Sequence, residues 1–142
     1  MQKWITRCLF VLFYLLNNEC AVASWAKMSD EELATLPVIV YGQYLGTSLI
    51  KMDENSTQVN LGVLKVLKVL KGGNHNELYF IKGHSPSKPI SSDMLFFKTG
   101  QTGMWFLQPV IHSEGLYQIT HPSQFQSISK NSSEFKRWQS LL

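Results

Sequence analysis

The chain has 142 residues, 44% hydrophobic and 16% charged, with a formal net charge of +3. That is globular composition at a length that supports one core, which excludes a multidomain enzyme, a polytopic membrane protein and a disordered chain. The charge excess is too small to predict binding of nucleic acid or anionic lipid by field alone.

Residues 1–23 read as a signal peptide. Lys3 and Arg7 form a basic start, Cys8–Leu16 is a run of nine apolar residues, and Ala21-Val22-Ala23 offers small residues before a cut. As a helix that run would rise only about 14 Å, against a bilayer core of about 30 Å, so an uncleaved anchor is disfavoured. Residues 24–142 are then one mature domain starting at Ser24, periplasmic or secreted. Cys8 and Cys20 both fall in the discarded segment. A lipid acceptor at Cys20 is disfavoured, because Asn18-Glu19 before it lacks the small residues of such a cut. The mature chain therefore has no disulfide and no cysteine ligand, which tilts the reading toward a bacterial periplasm. The triplets Asn55-Ser56-Thr57 and Asn131-Ser132-Ser133 fit N-glycosylation sequons and point the other way.

Ser29-Asp30-Glu31-Glu32 reads as a helix start, Ser29 capping and Glu32 closing a capping box, with Pro37 ending the helix soon after. Its acidic residues suit the positive end of the helix dipole and need no catalytic role. Pro37–Met52 is rich in β-branched and aromatic residues of both parities, as in a central strand, with Gly42 and Gly46 as places to bend. Asp53–Thr57 is turn material, and Gln58–Lys71 is the hairpin partner. In that partner the apolar parity moves from Val59, Leu61 and Val63 to Leu64, Val66 and Leu70. A β-bulge at Gly62-Val63 would do this. A basic amphipathic helix with Lys65, Lys68 and Lys71 as its stripe competes; Val63, Val66, Val69 and the following Gly72-Gly73 count against it.

Glu77–Lys82 is a short strand and Gly83–Ser92 a loop. Met94–Lys98 is a further apolar run, and Gly100–Gly103 a turn. Met104–Ile111 is a strand that Pro109 interrupts or places on an edge. Glu114-Gly115 turns into Leu116–Thr120, which His121-Pro122 ends. From Ser132 the tail reads as a capped helix with Phe135, Trp138 and Leu142 on one face, docking on the sheet. These elements predict a mainly β fold: a five- to six-stranded OB-like Greek-key barrel with a short N-terminal helix and a C-terminal helix.

Val66-Leu67-Lys68-Val69-Leu70-Lys71-Gly72 fits a V-x-x-V-L-K-G phrase that ends the second strand of netrin-like domains. Val38–Tyr44 and Gly103-Met104-Trp105-Phe106-Leu107 stand where that family has its first strand and a later one. Over roughly Pro37–Thr120 the chain thus resembles the netrin-like domains and the tissue inhibitors of metalloproteinases. The resemblance implies the barrel and a bias toward binding other proteins. Those inhibitors begin with a cysteine that binds the target's zinc; the expected start here is Ser24-Trp25-Ala26, so their mechanism does not carry over.

No chemistry stands out. His75, His84, His112 and His121 have no metal-binding spacing, so neither metal nor cofactor is expected. Gly83-His84-Ser85 is not a nucleophile elbow, and Ser85, His84 and Asp93 are no better than a random triad. The carboxylates cluster in caps and turns rather than in catalytic pairs. A single-strand nucleic-acid reading would use Tyr79, Phe80, Phe96, Phe97, Trp105 and Phe106 beside Lys65, Lys68, Lys82 and Lys98. Half the residues of a barrel strand face inward, however, which makes most of those rings core. The expectation is a non-enzymatic exported module that binds, and in one version inhibits or neutralises, a partner protein of the cell envelope. Saccharide or peptidoglycan binding is the alternative, with nucleic-acid binding and a purely structural envelope role behind it. Tyr41, Tyr44, Trp105 and Tyr117 are the candidate contact residues, each of which also suits the core. Trp25 either sits on the surface or pins the first helix.

Overall fold

The computed structural model describes residues 25–51, 58–83 and 95–142. The expected signal peptide and cut, the Asn55 sequon, and His84, Ser85 and Asp93 lie outside the described residues.

Helix α1 (Asp30–Ala34) starts at the predicted capping box. Ser29 Oγ accepts from the Glu32 amide at 3.2 Å, and the Ser29 amide donates to Glu32 Oε2 at 2.7 Å. Strands β1 (Val38–Lys51) and β2 (Gln58–Lys71) form a long antiparallel hairpin, followed by β3 (Leu78–Lys82), β4 (Thr102–Pro109) and β5 (Leu116–Gln118). A 3-10 turn (Pro122–Gln124) leads into the two-residue β6 (Phe125–Gln126), and α2 (Ser133–Leu141) ends the chain. The strand order is β1-β2-β3-β5-β4-β6, and β4 pairs with β1 as well. The sheet therefore curls back on itself as a partly closed ring, consistent with a small OB-like barrel. The β3–β5 pair is parallel and the others are antiparallel.

Gln58–Lys71 is a strand, and the helical alternative falls away. The corner expected at Gly62-Val63 exists at that level, but the extra residue belongs to the opposite strand. Tyr44 faces Leu64 and Gly46 faces Val63, so Leu45 is the unpaired residue, and Gly46 takes a positive φ of 134° that an L side chain resists. Two further register shifts leave Leu67 and Leu70 as the extra residues of β2. They account for its mixed parity. Leu64, Val66 and Val69 all pack on the barrel interior, while Leu70 packs on the other side.

Both parities of β1 and β4 are buried because two apolar layers meet there. Val38, Val40, Trp105 and Leu107 point into the barrel, joined by Leu64, Tyr79 and Ile81. Ile39, Tyr41, Met104 and Phe106 point outward, where Leu33 of α1 and Phe135 and Trp138 of α2 cover them. The predicted helix stripe thus docks as expected except at its end, since Leu142 remains exposed. Leu95–Lys98 is not a strand, although Phe97 still packs on Tyr44, Trp105 and Phe125. Pro109 closes β4 opposite Tyr117, where its missing N–H costs least.

One edge of β4 is patched by a side chain. Along that edge Met104 and Trp105 pair with β6, and Gln108 and Pro109 pair with β5. Between them Gln124 Nε2 donates to the Phe106 carbonyl at 2.9 Å. Gln124 Oε1 accepts from the Thr120 and His121 amides, both at 2.8 Å, and from Thr120 Oγ1 at 3.2 Å. The amide thus bridges the gap between β5 and β6 and is 1% exposed. No helix among the described residues is long and apolar enough to cross a membrane.

Candidate functional site

All four nominated aromatic residues lie in the core. Tyr41, Tyr44 and Tyr117 are each 5% exposed and Trp105 is fully buried. Tyr41 belongs to the layer under the helices, edge-on to Phe135, and its hydroxyl accepts from the Lys130 amide at 3.1 Å. Trp105 stacks with Tyr44 inside the barrel and donates from Nε1 to the Gly42 carbonyl at 3.0 Å. Tyr117 stacks on Tyr79 at 4.6 Å between ring centroids. Tyr44, Trp105 and Tyr117 meet in one interior cluster and Tyr41 lies on its far side. As packed, none presents a ring face to a partner.

Tyr79 is fully buried, and its hydroxyl donates to the Asn74 carbonyl at 2.5 Å. Burial first, and then the neighbouring Tyr117, push its phenol up to about 12. Trp25 is about half exposed and meets His121 edge-on at 5.1 Å, while His121 Nδ1 accepts from the Ser123 amide at 3.0 Å. Among the described residues no group of three or more His, Cys, Asp or Glu side chains could hold a metal ion.

A cleft opens beside Tyr44, Thr47, Gly62, Ile81 and Phe97, with a volume of about 70 Å³. A small-molecule pocket usually needs about 300 Å³ or more, so the cleft suits a side-chain tip or a few waters.

The surface with most to offer is the outer face of β2 and β3. The interior takes one side of β3, Tyr79 and Ile81, and leaves Leu78, Phe80 and Lys82 exposed. In register Lys65 lies opposite Leu78, Val63 opposite Phe80 and Leu61 opposite Lys82, so these six share the outer face, with Val63 half-buried and Leu61 buried. Leu116 of β5 lies beside Phe80 and is half-buried. Leu78 is 43% and Phe80 38% exposed. Helices α1 and α2 cover β1 and β4, not this face. Lys65 and Lys82 stand exposed at its two ends. The ion pairs found among the described residues join Arg137 to Asp30 and to Glu134, on the helix side.

Sequence reasoning singled out Phe80 only for nucleic acid and passed over Leu78 and Val63. The signal was the alternation Leu78-Tyr79-Phe80-Ile81-Lys82. Because both parities are apolar down to Ile81, only Lys82 marked which side faced solvent.

No protein-family model matches the chain, and a search of curated proteins finds no match.

Proposed function

We propose that the chain is an exported, non-enzymatic module that binds a partner protein, and that its contact surface is the outer face of β2 and β3. The observation behind this is the apolar stripe of the exposed Leu78 and Phe80 with the half-buried Val63, adjoining one another on a face that neither helix covers. A rigid sheet presenting an aromatic and branched aliphatic side chains at fixed spacing suits an interface anchor. The netrin-like phrase at Val66–Gly72 favours the same class of role by likeness, and adds no target. The small cleft, and the lack of exposed stacked rings among the described residues of this face, count against a saccharide or a cofactor.

The test is site-specific photocrosslinking in the native host. A benzophenone amino acid replaces Phe80 in one strain and the exposed Lys136 of α2 in another. One protein captured at position 80, not at 136, and lost on adding Leu78→Asp, is the expected result. Equal capture at both positions, or none at 80, would overturn the reading. Loss of capture on adding soluble peptidoglycan fragments would replace it with the saccharide reading.

A further inference from the structure

The chemistry of this face goes further than a generic apolar patch. Taking the β2–β3 face as the contact surface, we infer that its occupant is an extended protein segment with an apolar side chain between two acidic ones, acidic-x-apolar-x-acidic.

The spacing comes from the strand register. Lys65 stands at the level of Leu78, and Lys82 at the level of Leu61, four residues further along β2. At about 3.3 Å per residue the two lysine positions stand roughly 13 Å apart along the strands. Val63 and Phe80 occupy the level midway between them. An extended segment presents every second side chain to one side, so positions i, i+2 and i+4 span the same roughly 13 Å. Acidic residues at i and i+4 meet the two lysines, and an apolar residue at i+2 meets Phe80 and Val63.

The signs agree with the rest of the surface. Lys65 and Lys82 are in none of the ion pairs found among the described residues, whereas Asp30 and Glu134 on the helix side are held by Arg137. The lysines also keep the exposed stripe from pairing with a second copy of itself, since two such faces would bring like charges together. A nucleic acid would use the same lysines, but it stacks on several rings. Among the described residues of β2 and β3, Phe80 is the one exposed ring, the other rings of β3 and β4 being interior or under the helices.

The probe is a short capped peptide with Glu-Thr-Leu-Thr-Glu at its centre. It is titrated into isotope-labelled protein and followed by amide chemical shifts. A Gln-Thr-Leu-Thr-Gln peptide and a short oligothymidylate serve as comparisons. The inference expects shifts confined to Val63, Lys65, Leu78, Phe80, Lys82 and their strand neighbours. It also expects binding about fivefold weaker in the Lys65→Glu, Lys82→Glu variant and a similar loss on raising salt from about 50 to about 500 mM. If the glutamine peptide binds this face equally well, the acidic pattern is wrong while the protein-binding reading stands. If neither peptide shifts these residues, the inference fails, and crosslinking at position 80 decides the parent reading separately. If only oligothymidylate binds there, both fail. Thermal melts of the lysine variant exclude misfolding as the cause of any loss.

Discussion

Replacing Gln124 with leucine keeps the side chain's approximate size and removes every polar contact it makes. Partners on three residues then change state. The Phe106 carbonyl, on a fully buried residue of β4, loses the donor that bridges β5 and β6. A buried carbonyl stripped of its donor costs about 1–3 kcal/mol. The Thr120 and His121 amides lose their acceptor, but their residues are exposed and half-buried, so water can replace it at about 0.5 kcal/mol each. The sum is about 2–4 kcal/mol, or roughly 8–16 °C in Tm for a domain of this size. Urea titration followed by far-UV circular dichroism gives the free energy. Amide hydrogen exchange should show lost protection at Thr120 and His121 first. Gln124→Glu discriminates further. It keeps an acceptor for the two amides but aims an oxygen at the Phe106 carbonyl unless protonated. That variant should gain stability relative to the parent as pH falls, whereas Gln124→Leu should not. A leucine variant within about 0.5 kcal/mol of the parent would refute the bridging role.

Gly103→Ala should be more damaging, because its Cβ would stand 2.1 Å from the Gln126 carbonyl oxygen across the β4–β6 pair. The backbone of β6 must move, and a loss of about 2 kcal/mol or more, measured by urea titration, is expected. Because Tyr79 binds its proton more tightly folded than unfolded, the stability this contributes is intact below about pH 10 and is lost as pH rises toward about 12. Tyr79→Phe should therefore lose about 2–3 kcal/mol less than the parent over that interval, read from urea midpoints in alkaline buffers. Ser132→Ala removes the hydroxyl that accepts from the Phe135 amide at 3.1 Å and should cost about 1 kcal/mol, seen as earlier melting of α2. Trp138→Ala empties the site where α2 packs on Phe106 and should cost about 3–5 kcal/mol, with loss of near-UV dichroism.

Local signals in the sequence were enough for both helices and for β1 to β5, but not for the 3-10 turn at Pro122–Gln124 or the two-residue β6. Ser29 with Glu32, and Ser132 before Phe135, mark the two helix starts because a cap is a contact between residues three apart. The long antiparallel pair of β1 and β2 follows from β-branched runs flanking a polar stretch of sequence. The OB-like order could be expected from the strand count and the long first hairpin. What the sequence could not supply was the assignment of faces. Tyr41 and Tyr44, three residues apart in one strand, lie in different layers, and Leu78, Phe80 and Val63 look no different in sequence from the buried Tyr79 and Ile81. Register is set by the unpaired Leu45, Leu67 and Leu70, each defined only by the strand opposite. Gln124 likewise reads as a loop glutamine until β5 and β6 leave Phe106 between them without a backbone donor. Periodicity reports the alternation of a strand; which side is covered depends on partners distant in sequence, and that decided both the core and the candidate surface.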